Sequence, residues 1–199
     1  MIRYECLELL APLMTDQLVV TSQSGQRVEW SHLSKHEGNL LVGSMGNALG
    51  VGIGLALALP HRKVIVLESD GSLLLALFNL ATLANSNPSN LSVFVFDNQA
   101  YSGTRISYPT ATAGKTDLAG MAKAAGIDNA VTVRDIERFK KEGIETLNDN
   151  TLRFVVCKVE ESLGHREIRR PNMDPFENKY YFVRYLERTE GRPIFLGRG

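Results

Sequence analysis

Strand and helix patterns alternate along this 199-residue chain, which predicts an α/β fold: a doubly wound, mostly parallel sheet flanked by helices. Two observations carry that expectation. Residues 64–67 (VIVL) and 91–96 (LSVFVF) are near-continuous apolar runs, the pattern of strands buried on both faces. They are joined by an apolar helical run over 73–84, so that strand, helix and strand form one parallel crossover unit. With 44% hydrophobic and 22% charged residues, the chain has the composition of a globular protein large enough for one substantial core. The expected organisation is a single domain over residues 1–199, with 160–199 as a C-terminal extension.

Each element follows from its local pattern. Ile2, Cys6, Leu9, Leu10 and Leu13 recur at helical spacing, predicting a helix over 2–15. Residues 18–21 (LVVT) form a short strand, 27–33 a short helix and 39–42 another strand. The stretch 48–59 is helical and dominated by small residues. Its glycines each cost up to about 1 kcal/mol relative to alanine, which suits very close packing against the sheet or against a partner. After the 91–96 strand, residues 103–115 lack periodicity and read as a surface loop of functional length. Thr116 and Asp117 can cap a helix over 118–125 that stops at Gly126. A strand at 130–133, a helix at 135–147 and a strand at 154–159 complete the alternation, and 178–187 is aromatic-rich with helical character.

Composition narrows the function. Lys+Arg and Asp+Glu are equal at 22 each, so no basic excess points to nucleic acid and no acidic tract to disorder. The most apolar long stretch, 48–60, falls short of the roughly 20 residues that span a bilayer, and the N-terminus has no signal-like hydrophobic region. Cys6 and Cys157 lie in apolar surroundings without a CxxC pair, as reduced core thiols do. The expected location is cytoplasmic.

The chemistry concentrates where the 64–67 strand runs into Ser69-Asp70-Gly71-Ser72 and the 91–96 strand into Asp97-Asn98-Gln99-Ala100-Tyr101. Both turns follow strand C-termini, so a parallel sheet brings Asp70 and Asn98 to one edge, where open α/β folds bind ligands. Magnesium takes near-octahedral oxygen coordination with one or two protein side chains, and a carboxylate, an amide oxygen and the Ala100 carbonyl suit it. Gly71 and Ser72 open a helix whose free N–H groups favour phosphate. Without a ligand, Asp70 reads as a helix cap and Asn98 as a strand end.

Asp70-Gly71-Ser72 followed 28 positions later by Asn98 (98 − 70) resembles the thiamine diphosphate fingerprint, which begins GDG and closes with NN or DN after two to three dozen residues. Upstream, Gly43-Ser44-Met45-Gly46 resembles that family's pyrimidine-contacting turn. Thr21 to Gly25, Ser102-Gly103 and the run from Thr116 to Ala119 echo the diphosphate-binding half of sulfopyruvate and phosphonopyruvate decarboxylases. Ser69 departs from the pattern, standing where the fingerprint has its first glycine. The resemblance implies a thiamine diphosphate-binding fold, with magnesium held by Asp70, Asn98 and the Ala100 carbonyl. It implies a cofactor set of Gly43, Ser44, Met45, Asp70, Gly71, Ser72, Asn98, Ala100, Tyr101 and Ser102. In it the Gly43 carbonyl meets the aminopyrimidine, Met45 wedges under the cofactor, and Gly71, Ser72 and Ser102 face the diphosphate. Taken alone, a methionine such as Met45 is more often an ordinary core residue; its place between two glycines of the matching turn favours the wedge.

In that family a glutamate on a separate pyrimidine-binding domain activates the cofactor. A chain of this length holds one domain, so the resemblance implies a heteromeric enzyme with the activating glutamate on a partner subunit and no catalytic residue here. The implied activity is decarboxylation of a 2-oxo acid. The alternatives are an acetolactate synthase-like carboligase subunit or a non-catalytic module that keeps the fold. Thr104 stands where several decarboxylases have an acid. Arg105 is a candidate for an anionic substrate, and His32 and His36 for an approach to the cleft; His61 and His165 read as solvated.

Overall fold

The structure, a computed structural model, describes residues 1–102, 107–160, 168 and 174–194. Its centre is a six-stranded, all-parallel sheet in the order β2-β1-β3-β4-β8-β7. The strands are β1 (Leu18–Thr21), β2 (Asn39–Leu41), β3 (Val64–Ser69), β4 (Leu91–Asp97), β7 (Ala130–Val133) and β8 (Arg153–Lys158). A separate antiparallel hairpin pairs β5 (Ala100–Ser102) with β6 (Ser107–Pro109). The chain runs outward from β1 to β2 and returns to place β3 on the other side of β1, so the strand order reverses there. The fold class read from the sequence is therefore the one observed.

Alternation along the central strands divides the core. Val64, Val66, Val93 and Val95 face one layer, built from α3 (Ala48–Ala58), α5 (Phe78–Ser86), α6 (Leu118–Ala125) and α8 (Pro175–Glu190). Ile65, Leu67, Phe94 and Phe96 face the other, where α1 (Arg3–Leu10), α2 (Gly25–Leu33) and α7 (Ile136–Asn148) supply Leu7, Trp30 and Phe139. Cys6 and Cys157 are free and buried in this second layer. Burial pushes the Cys6 thiol up to about 12 and raises that of Cys157 well above its ordinary value, so both stay protonated and inert. Among the described residues, no helix is long and apolar enough to cross a membrane.

Three expectations are revised. The helical run over 73–84 is broken into α4 (Asp70–Leu74) and α5, with a turn of i to i+3 bonds between them, including Ala76 N–H to the Leu73 carbonyl at 2.9 Å. The break leaves Leu75 and Phe78 largely exposed rather than in the core. The loop after residue 102 is not featureless: β6 returns to pair with β5, and a 3₁₀ turn at Ala111–Ala113 follows, with Thr110 and Thr112 buried. Finally, the C-terminal helix is longer than 178–187. Asp174 caps it by accepting from Glu177 N–H at 2.9 Å, and Pro175 occupies its first turn. Its buried residues Asn178, Phe182, Tyr185 and Leu186 form one stripe that packs over β2.

The glycines of α3 separate into distinct roles. A methyl group on Gly52 would sit 2.2 Å from Val66 Cγ2, so this glycine is what lets α3 lie directly on β3. A methyl on Gly54 would meet nothing within 4 Å. Gly52→Ala is expected to destabilise the fold by about 1–3 kcal/mol through overpacking. Gly54→Ala is expected to stabilise it by up to about 1 kcal/mol through helix propensity. Urea unfolding of the two variants measures both, and equal shifts would contradict the assignment.

Candidate functional site

Parallel pairing sets the site. Ser69 of β3 lies opposite Phe96 of β4, so Asp70, one residue on, is level with Asp97 and adjacent to Asn98 in the next turn. Two carboxylates therefore meet at one buried sheet edge, where mutual repulsion and lost hydration both favour protonation. Asp70 is fully buried, and its carboxyl is raised above the ordinary range first by burial, then by the charge of Asp97.

Two threonines relieve this strain. Thr110 Oγ1 donates to Asp70 Oδ2 at 2.7 Å, and Thr112 Oγ1 lies 3.2 Å from the same oxygen and 2.7 Å from Asp97 Oδ1. The two hydroxyls are 2.8 Å apart. Asp97 is also ion-paired to Lys158 and accepts from Gln99 N–H at 3.1 Å. A continuous chain thus runs from Lys158 through Asp97 and the two threonines to Asp70. Gln99 adopts a left-handed backbone (φ 62°), and its carbonyl accepts from Thr110 N–H at 2.9 Å, which folds the hairpin back onto the edge. Asn98 Oδ1 accepts from Ala100 N–H at 3.3 Å, and an amide oxygen has a second lone pair for another partner.

The glycine of the Asp70 turn is fixed by contact. A Cβ on Gly71 would fall 2.5 Å from Cε1 of Tyr101, so the half-exposed tyrosine ring lies directly on this backbone. Ser72 is buried. Its hydroxyl accepts from Gly46 N–H at 2.8 Å, and its own N–H donates to the capping Ser69 Oγ at 3.3 Å. That first bond ties the Gly43 turn to the Asp70 turn. Gly43 and Ser44 are exposed there and Met45 is half-buried. Ser102 contributes its backbone to the hairpin opposite Ser107. Thr104, Arg105 and His165 lie outside the described residues.

The histidines sit elsewhere. His32 ends α2 and His36 precedes β2, at the edge opposite the strand C-termini. His36 packs edge-on against Tyr185, and burial lowers its pKa. The expected approach of these two to the cleft is therefore not observed. His61 is exposed but bonded to Glu190 at 2.7 Å.

The sequence reading missed Glu68, Thr110 and Thr112. Glu68 interrupts the otherwise apolar β3 and is completely buried. Its Oε1 accepts from Ser69 N–H at 3.0 Å. Ser22, Ser72 and the Leu49 N–H stand near enough to pull its pKa down, yet among the described residues Oε2 has no partner at hydrogen-bond geometry, and burial dominates to raise it. A lone acid inside an apolar strand was the available signal. The threonines carried none, since a TAT run in a loop is unremarkable until the hairpin folds.

Among the described residues, no cluster of three or more His, Cys, Asp or Glu is placed to hold a metal ion. A cation here would rest on one carboxylate, one amide and backbone or ligand oxygens. That all-oxygen donor set, around a carboxylate destabilised by burial, suits magnesium rather than zinc.

Two outcomes follow. Thr112→Val breaks the bridge between Asp70 and Asp97 while keeping its shape. Mn²⁺, as a magnesium surrogate, is expected to bind several-fold more weakly by electron paramagnetic resonance, and unchanged binding would exclude the bridge from the site. Glu68 and Asp70 hold protons more tightly folded than unfolded. Their contribution to stability is therefore complete below about pH 4 and is lost as pH rises through the raised folded values. Glu68→Gln removes one of these titrations. The fall in urea midpoint between about pH 4 and pH 7 should flatten, and an unaltered slope would show that Glu68 is ionised in the folded protein.

Comparison with known proteins places the chain in a family. Residues 23–159 match the family described as thiamine pyrophosphate enzyme, C-terminal TPP binding domain. Sulfopyruvate decarboxylase subunit beta of Methanocaldococcus jannaschii is 32% identical over 177 residues, covering 87% of this chain and 90% of the relative. Its counterpart from Methanococcus maripaludis is 30% identical, covering 94% and 98%. Phosphonopyruvate decarboxylase of Streptomyces viridochromogenes is 37% identical over 119 residues, covering 59% of this chain and 29% of that enzyme. Benzoylformate decarboxylase from Polynucleobacter necessarius shares the fold, with a TM-score of 0.66 at 18% identity. The match covers 80% of this chain and 33% of that one, so the chain spans about a third of that solved enzyme. The chain belongs to the thiamine pyrophosphate enzymes, through their C-terminal TPP-binding domain.

Proposed function

We propose that this chain is the diphosphate-binding subunit of a heteromeric, thiamine diphosphate- and magnesium-dependent 2-oxo acid decarboxylase. The observation that carries the reading is the joining of two turns. The Asp70 turn, level with Asp97 and Asn98, is bonded through Ser72 to Gly46 of the Gly43 turn. One ligand with a charged diphosphate end and a flat heterocyclic end spans such a pair.

Asp70, Asn98 and the Ala100 carbonyl would hold magnesium. Gly71, Ser72 and Ser102 would face the diphosphate, with Tyr101 closing over them. The Gly43 carbonyl would accept from the aminopyrimidine, beside Ser44, and Met45 would support the bent cofactor. When bound, thiamine diphosphate supplies a nucleophilic ring carbon and an electron sink. This chain's share is binding and orientation. Lys158 is ion-paired to Asp97, and the threonine bridge bonds the Asp70 carboxyl in place. The Asp70 carboxyl, raised by burial, would be returned toward its charged form by a bound dication.

The relatives that match over nearly their whole length are named as beta subunits of sulfopyruvate decarboxylase, which favours a split enzyme and an anionic 2-oxo acid substrate. The partner would carry a pyrimidine-binding domain and the activating glutamate.

Isothermal titration with thiamine diphosphate, with and without Mg²⁺, tests the assignment. Binding is expected to require the metal, and Asp70→Ala to weaken it by at least about a hundredfold, or about 2.7 kcal/mol. Metal-independent binding, or binding unaffected by Asp70→Ala, would overturn it. Co-expression with a pyrimidine-domain chain should restore turnover of sulfopyruvate or phosphonopyruvate.

A further inference from the structure

Beyond its bond from Gly46 to Ser72, the Gly43 turn is held from two sides. β2 stops at Leu41, and Gly43 and Ser44 are exposed and, among the described residues, pair with no strand. On one side, Val42 N–H donates to the Thr21 carbonyl at 3.0 Å, which ties the turn to β1. On the other side, the support comes from α8, well over a hundred residues away in sequence.

Asn178 makes two bonds there. Its Oδ1 accepts from Leu41 N–H at 2.7 Å, and its Nδ2 donates to the Asn39 carbonyl at 3.0 Å. The amide thus imitates the backbone of a neighbouring strand, and it is buried while doing so. One turn earlier on the same helix, the Pro175 ring rests on Gly43. A Cβ at that glycine would lie 3.0 and 3.2 Å from Pro175 Cβ and Cγ. The far end of α8 is anchored separately, where Arg62 bonds Glu190 at 2.9 Å and the Tyr185 hydroxyl at 3.0 Å.

We propose that α8 is a positioning element of the cofactor site, in which Asn178 and Pro175 hold the Leu41–Gly43 backbone where its carbonyl meets the aminopyrimidine. The C-terminal helix thereby controls recognition of the heterocyclic end of the cofactor and leaves the diphosphate end alone, because Asp70 opens α4 just after β3, Asn98 directly follows β4 and Ala100 lies in β5. Pro175 suits the role: it has no N–H to satisfy, and its fixed φ presents a rigid ring. This inference rests on the thiamine diphosphate reading above.

The experiment compares two ligands on the full chain, purified with its partner subunit if one accompanies it. Titrations with thiamine diphosphate and with inorganic pyrophosphate, both with Mg²⁺, are run on the wild type, Pro175→Gly, Asn178→Ser and the exposed control Tyr181→Ala. Pro175→Gly and Asn178→Ser are expected to raise the Kd for thiamine diphosphate by about tenfold while pyrophosphate binds as in the wild type. Tyr181→Ala should change neither. If Asn178→Ser does not fold, by circular dichroism, Pro175→Gly carries the test, since it removes no hydrogen bond. Equal weakening of both ligands would show that α8 acts only through overall stability and would overturn the proposal. Unchanged binding of both would overturn it too, while leaving the cofactor reading intact. A wild type that binds neither ligand would remove the cofactor reading and this inference together.

Discussion

The registered pairing of β3 with β4 is the constraint from which the site follows. Both strands are buried, so their pairing is set by the core: valines toward one helical layer, and Ile65, Leu67, Phe94 and Phe96 toward the other. A shift of one residue would reverse every side chain and empty both layers. Once that register is fixed, Asp70 and Asp97 must emerge side by side in a poorly hydrated edge. Everything nearby deals with the result: Lys158 neutralises one acid, threonines share protons with both, and the hairpin folds back to deliver those threonines.

Much of this was legible in the sequence, for a physical reason. Strands buried on both faces must be apolar throughout, so β3 and β4 announced themselves, and their polar ends marked the sheet edge. Asp70 and Asn98 could be read as neighbours from topology alone. The hairpin was less accessible, because Ala100–Ser102 and Ser107–Pro109 are three residues each and are held by pairing with one another rather than by an apolar pattern. The α4–α5 break was invisible for a related reason. Apolar residues at 73–84 fit an unbroken helix equally well, and Leu75 and Phe78 are exposed only because the chain turns between the two helices. The role of α8 was hidden by distance. Nothing local to Asn178 or Pro175 shows that they meet residues 39–43.

Close approach recurs as the means by which the elements are positioned. Gly52 admits Val66 and sets the height of α3 above the sheet; Gly71 admits the Tyr101 ring; Gly43 admits Pro175. A methyl group is excluded at Gly52 and Gly71 and tightly crowded at Gly43, so three glycines define how α3, the β5–β6 hairpin and α8 approach the sheet and its edge. Glu68 adds a different kind of constraint. Among the described residues one oxygen of this buried carboxyl in β3 has no hydrogen-bond partner, which costs stability in the strand that carries the site.

The two bonds from Asn178 have a consequence for how the molecule behaves in a crowded solution. A terminal strand of a parallel sheet offers its outward N–H and C=O groups to any passing chain, and unguarded ends of this kind template sheet-to-sheet growth. β2 is only three residues long, with Asn39 and Leu41 turned outward; the Asn39 N–H is bonded to the His36 carbonyl, and one amide side chain occupies the Asn39 carbonyl and the Leu41 N–H. A residue on a helix thus blocks two of the groups through which the sheet would extend at this end. A chain shortened before α8 would lose that stopper and present an open, sticky margin.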